Sequence, residues 1–149
     1  MTVEQILIFD GAMGTMLQQR GLAPGQSPEE LNLTMPDVVE SVHRDYLQAG
    51  ADIVITNTFG GSRLKLQEYH LENHVKEINR RAIEIARAAC VKAGHGQVAA
   101  SLGPTGHFVS PVGDTSFDEM YAIYREQADA IATAQQDYFL LETFSDLGE

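Results

Sequence analysis

The sequence predicts an α/β fold of parallel strands, wound as about four βα units in the manner of the N-terminal half of a (β/α)8 barrel. Three observations lead there. Short, continuously apolar runs recur at residues 6–9 (ILIF), 53–55 (IVI), 98–102 (VAASL) and 138–141 (YFLL). Helical periodicity fills the segments between them. Each run also leads into a polar group: Asp10, Asn57 with Thr58, Thr105, and Glu142. Runs this short and this apolar suit strands covered on both faces, as in parallel sheets.

In chain order, residues 6–9 lead through Asp10 into the turn Gly11-Ala12-Met13-Gly14. Residues 15–35 are less regular and predict a short helix plus loop. Pro36 sits where a first-turn proline is tolerated, and Val38, Val39, Val42, Tyr46 and Leu47 form a helical stripe ending at Ala49-Gly50. After residues 53–55 and the pair Gly60-Gly61, residues 59–72 predict a second short helix plus loop. Val75, Ile78, Ala82, Ile85 and Ala89 mark a long helix that stops at Gly94. Residues 98–102 end at Gly103-Pro104-Thr105-Gly106, read as a turn. Ser116 is an N-cap with Glu119 completing a capping box, ahead of Met120, Ile123, Tyr124, Ala128 and Ile131. Residues 138–141 then deliver Glu142.

This βαβαβαβ pattern implies right-handed crossovers. An open doubly wound sheet is the competing architecture, but its G-x-G-x-x-G fingerprint should follow the first strand, and D-G-A-M-G-T fails that spacing. Polar groups at the strand ends match the catalytic rim of a barrel. A complete barrel takes about 250 residues and eight strands. The expectation is therefore one partial domain over residues 1–149, truncated after its fourth strand.

Composition bounds the function. The chain has 149 residues, 44% hydrophobic and 21% charged, with a formal charge of -11. That charge, with no cluster of Lys and Arg, argues against nucleic-acid or anionic-membrane partners. The start MTVEQILIFDGAMG lacks the basic and long apolar regions of a signal peptide. No apolar run approaches the ~20 residues of a membrane span. One cysteine, Cys90, allows no internal disulfide and fits a reducing compartment, so a cytoplasmic location is expected.

The stretches DGAMGTMLQQRG, PEELNLTMPDVVESVHRDYLQAGADIVITNTFGGSRLKL, SLGPTG and LLETFSDL together resemble the homocysteine S-methyltransferase family. The form they match is the homocysteine-binding domain of cobalamin-dependent methionine synthases. The resemblance runs in order through essentially the whole chain. It implies a (β/α)8 barrel that transfers a methyl group to the homocysteine sulfur, held as a thiolate by zinc on cysteine ligands from the second half of the barrel. Cys90 matches none of those ligands. Relatives use methylcobalamin, methylfolate, S-methylmethionine or betaine as methyl donor, and the parts that would choose among them are absent.

An amino-acid substrate brings an ammonium, a carboxylate and a thiol. Asp10 and Glu142 offer two carboxylates to the ammonium, the pairing the resemblance also implies. The Gly11-Ala12 turn offers backbone N–H groups to the substrate carboxylate. Asn57 and Thr58 could add hydrogen bonds on the rim between them. Taken alone, Asp10 before glycine is often a turn residue and Glu142 a solvated strand end. His70 and His74 have the spacing of a helical metal pair, but HLENH in a charged stretch with no third ligand reads as surface. Cys90 lies on an apolar helix stripe and reads as a small core residue.

Three readings follow. The chain is the amino-acid-binding portion of a homocysteine methyltransferase, partnered by a complementing C-terminal half or by self-association. Alternatively it is a catalytically inactive remnant that binds an amino acid weakly or only associates. The third is an unrelated half-barrel lyase or phosphate-site enzyme using Asp10 and Glu142 as acid and base.

Overall fold

The computed structural model describes residues 6–149. Residues 1–5, the start of the stretch weighed against a signal peptide, lie outside them. The element order is α1 (Met13–Gln19), a 3-10 turn (Pro28–Glu30), α2 (Leu31–Thr34), α3 (Pro36–Gln48), β1 (Ile53–Ile55), α4 (Arg63–Gln67), a second 3-10 turn (Glu72–His74), α5 (Val75–Ala93), β2 (Gln97–Leu102), α6 (Phe117–Ala132) and β3 (Tyr138–Leu141). The strands pair in parallel in the order β1-β2-β3. Ile53 lies opposite Gln97, and Ala99 opposite Tyr138. Each strand therefore sits beside its sequence neighbour, without the reversal that creates the crevice of a doubly wound sheet.

The full strand expected at residues 6–9 is narrower in the structure. Only Phe9 bridges β1, parallel to Ile53. The Ile8 carbonyl accepts N–H groups from both Asp52 and Ile53, at 2.8 and 3.1 Å, and the Asp10 N–H reaches the Ile53 carbonyl at 2.9 Å. The Ile8 N–H is taken by the Asp52 carboxylate instead of a backbone carbonyl, which ends the ladder early. Among the described residues this segment also has a partner on one side only.

Strand alternation sends Val54, Val98, Ala100 and Leu102 to the helix-covered face, packed with Leu47, Ile83, Ala86, Ala89, Cys90 and Ile131. A second cluster joins Leu17, Leu22, Leu31, Val39, Val42 and Ile85. The periodic stripes of α3 and α5 thus bury as the sequence predicts. α5 ends where Gly94 adopts φ 76 and donates its N–H to the Cys90 and Val91 carbonyls.

The capping box at α6 forms as predicted: Ser116 Oγ accepts the Glu119 N–H and Glu119 reaches back to the Ser116 N–H at 2.9 Å. Ser116→Ala is expected to cost about 1 kcal/mol in chemical denaturation. An unchanged midpoint would show that α6 holds without its cap.

Candidate functional site

The C-terminal ends of the strands enclose a cavity of about 460 Å³. Asp10 enters it from the bridge segment, Thr56 and Asn57 from the end of β1, Ser101 from β2 and Glu142 from the end of β3. Parallel strands that stop at one level carry these residues to a single rim.

Asp10 is held in place but left incomplete. Its Oδ2 accepts the Ile55 N–H at 3.0 Å, while Oδ1 is buried with no hydrogen-bond partner. Burial, opposed by that N–H and reinforced by the charge of Glu142, raises its pKa to about 7. Removing a carboxylate from water penalises its charged form, and a neighbouring carboxylate adds to the penalty. A cation placed between the two acids would relieve both effects.

Glu142 follows β3 directly, anchored by its N–H to the Leu102 carbonyl at 3.1 Å. Its Oε1 accepts the Ser101 hydroxyl at 2.5 Å. Thr143 then takes φ 67, an unusual conformation for a β-branched residue, and turns the chain out of the strand direction.

Gly11 and Ala12 line the same cavity just ahead of α1. No hydrogen bond among the described residues occupies their N–H groups. Tyr46 of α3 supports the turn from below, its hydroxyl donating to the Ala12 carbonyl at 3.2 Å. A Cβ on Gly11 would lie 3.0 Å from that hydroxyl, so a larger residue there would require the Tyr46 ring to shift by a few tenths of an ångström. Burial, and then the nearby Asp10, raise the Tyr46 phenol.

Asn57 lines the cavity, although its amide is already used by the Pro28 carbonyl (2.7 Å) and Asn32 Oδ1 (3.1 Å). Thr58 is not brought to the cavity wall. It is fully buried, and its hydroxyl bonds the Ser101 carbonyl and the Thr56 hydroxyl, each at 2.7 Å.

Two residues at the cavity were missed by sequence reasoning. Glu29 is buried and takes the Gly60 N–H and the Ser27 hydroxyl, both at 2.8 Å, tying the loop after β1 to the loop before α2. Nothing in its sequence context signals this. Ser101 could have been found as the sole polar residue within the run VAASL.

His70 and His74 do not share a helix. His70 sits in a turn at φ 60 and His74 ends the second 3-10 turn beside Glu77. Cys90 is buried in the main core. Among the described residues no three His, Cys, Asp or Glu side chains converge as metal ligands. A zinc ion of the kind the resemblance implies has no fitting donor set among the described residues.

Known proteins share similarity with this chain in sequence and fold. The family model for homocysteine S-methyltransferase matches residues 7–149. Methionine synthase of Mycobacterium tuberculosis (strain ATCC 25618 / H37Rv) is 34% identical over 154 residues, covering 97% of this chain and 13% of that protein. Methionine synthase of Mycobacterium leprae (strain TN) is 35% identical over 156 residues with the same coverage. The structure of the homocysteine methyltransferase MmuM from Escherichia coli in its metallated form is similar with a TM-score of 0.84 at 27% identity, covering 97% of this chain and 56% of that one. Its apo form gives 0.73, covering 97% and 52%. This chain thus spans little more than half of the solved enzyme and a small part of the curated relatives. On sequence and fold together, the chain belongs to the homocysteine S-methyltransferase family.

Proposed function

We propose that this chain binds the amino-acid end of homocysteine and supplies that half of the site at which the homocysteine thiol is methylated. The unpartnered, buried Oδ1 of Asp10 beside Glu142 carries the reading. An ammonium group brings both the missing donor and the missing positive charge. The substrate carboxylate is received by the N–H groups of Gly11 and Ala12. Asn57 shapes the wall between the two ends, and Thr58 acts from behind it through Ser101. Groups that activate the thiol and hold the methyl donor lie outside this set, so no donor is assigned.

Titration calorimetry tests the reading. L-homocysteine should bind at least about tenfold more tightly than 4-mercaptobutanoate, which lacks the amino group, on the scale of a charge-assisted hydrogen bond. Equal affinities would remove the ammonium role. Measurable binding without methyl transfer, even after addition of a C-terminal half-barrel, would favour the inactive amino-acid-binding module.

The partner proposal rests on the two edges of the sheet. Ile6, Phe9, Tyr138, Phe139 and Leu141 are all substantially exposed, Ile6 at 84% and Leu141 at 68%. Apolar surface on two strand edges invites pairing. We propose that residues 1–149 act as a partial barrel whose open side is covered by a complementing half or by a second copy. Light scattering at micromolar concentration, with hydrogen exchange at residues 6–9 and 138–141, checks it. A monomer strongly protected in both segments would overturn it. No helix among the described residues is long and apolar enough to cross a membrane. The unpaired Cys90 supports placing the chain in the cytoplasm.

A further inference from the structure

Both main-chain groups of Ser101 belong to a closed ring of hydrogen bonds. Its N–H donates to Thr56 Oγ1 at 3.2 Å, and its carbonyl accepts from Thr58 Oγ1 at 2.7 Å. The two threonine hydroxyls are 2.7 Å apart. Because the Thr58 hydrogen points at the carbonyl, the Thr56 hydroxyl must donate to Thr58. That leaves the Ser101 hydroxyl, on a fully buried side chain, to donate to Glu142 Oε1 at 2.5 Å.

The two acids of the cavity are therefore unequally supplied. Glu142 receives a side-chain hydroxyl from a rigid strand, and Asp10 receives one backbone N–H and keeps an empty oxygen. We infer that Ser101 is a positioning residue whose hydroxyl holds the Glu142 carboxylate aimed at the substrate ammonium. This deepens the amino-acid-binding reading and rests on it.

Among the described residues, no other group lining the cavity donates a hydrogen bond to Glu142. The Glu29 carboxylate is used by Gly60 and Ser27, and the Tyr46 hydroxyl donates to Ala12. The guanidinium of Arg20, which also acts on Tyr46, bonds Asp45 through Nη2; its Nη1 has no partner among the described residues, and Arg20 does not line the cavity.

Ser101→Ala removes the donor and little volume, so the ring and the fold should persist. Homocysteine binding is expected to weaken about fivefold or more, and Ser101→Thr, which keeps the hydroxyl, should recover most of it. Carboxyl carbon NMR of the ligand-free chain supplies a readout that a packing role would not move. In the parent, the charge of Glu142 helps to raise the Asp10 midpoint; in Ser101→Ala, with Glu142 no longer held in place, that midpoint should fall. Unchanged affinity and an unchanged Asp10 midpoint in Ser101→Ala would overturn the inference. If the parent fails to bind homocysteine, the amino-acid reading falls, and the Asp10 midpoint still decides whether Ser101 positions Glu142.

Discussion

Asp10→Asn will weaken homocysteine binding by about 1.5–3 kcal/mol, while making the empty chain more stable above neutral pH. The first effect follows from losing a charge-assisted hydrogen bond to the ammonium. Glu142→Gln should lose a similar amount, and neither change should affect 4-mercaptobutanoate, which has no ammonium to lose. Equal losses for both ligands would mean that the two acids only support the fold.

The second effect follows from linkage. The folded-state pKa of Asp10, about 7, lies above its ordinary 3.8. Between those values the folded chain holds a proton that the unfolded chain releases, so this group's contribution to stability falls as pH rises from about 4 to 7. Asparagine removes that penalty. The variant should match the parent near pH 4 and exceed it at pH 8 by on the order of 1–2 kcal/mol, the shift discounted for screening of a partly open carboxyl. His43 acts in the opposite direction in both proteins and so cancels from the difference. It is buried with neither ring nitrogen hydrogen-bonded, and burial lowers its pKa to about 4. Its contribution to stability is lost as pH falls from 6.5 toward 4. Urea unfolding of parent and variant at both pH values decides the matter, and a variant less stable than the parent at pH 8 would refute the strained-acid account.

Asn79→Ala is expected to give the largest loss of stability, about 2–4 kcal/mol, or roughly 5–15 °C in melting temperature. Asn79 is fully buried on α5 and donates to the Gly61 carbonyl at 2.8 Å and the Val75 carbonyl at 2.7 Å. Its Oδ1 accepts from Gln127 of α6, which also donates to the Thr58 carbonyl at 3.0 Å. These two amides tie the loop after β1 to both long helices. Gly61 is part of the same fit, since a Cβ there would lie 2.5 Å from Asn79 Oδ1 and 2.9 Å from the Thr58 carbonyl. Alanine at position 79 leaves the Gly61 carbonyl without its buried donor and opens a void beside it. Arg80→Ala, which removes an exposed ion pair with Glu84 one residue along the helix, is the control and should cost under about 1 kcal/mol. A loss at Asn79 no larger than the control would show that the loop is held by other means.

Local signals made much of the fold legible in the sequence. Helix ends were readable at Pro36, Gly94 and Ser116, because a proline, a left-handed glycine and a capping box act within a few residues of themselves. The apolar runs at residues 53–55 and 98–102 announced strands, because burial on both faces leaves no room for polar alternation; residues 138–141 form a strand as well, but Tyr138, Phe139 and Leu141 stand exposed rather than covered on both faces. The same runs lead into Asp10 and Glu142, and the family resemblance then paired their carboxylates with a substrate ammonium.

Long-range contacts decided the rest. Residues 6–9 have the composition of a strand, but Asp52, more than forty positions away, takes the Ile8 N–H and cuts the pairing to a single bridge. Thr58 and Ser101 are both small hydroxyl residues near strand ends, with nothing local to rank them. Registry between β1 and β2 turns Thr58 into a buried brace and leaves Ser101 with its hydroxyl on Glu142. Glu29 and Asn79 likewise gain their roles only when distant loops close on them. A hydrogen bond to a partner tens of residues away has no sequence period, so the sequence determined most of the segments that form and put Asp10 and Glu142 at the rim, and the packing of those segments decided that Glu29 and Ser101 join them there while Thr58 does not.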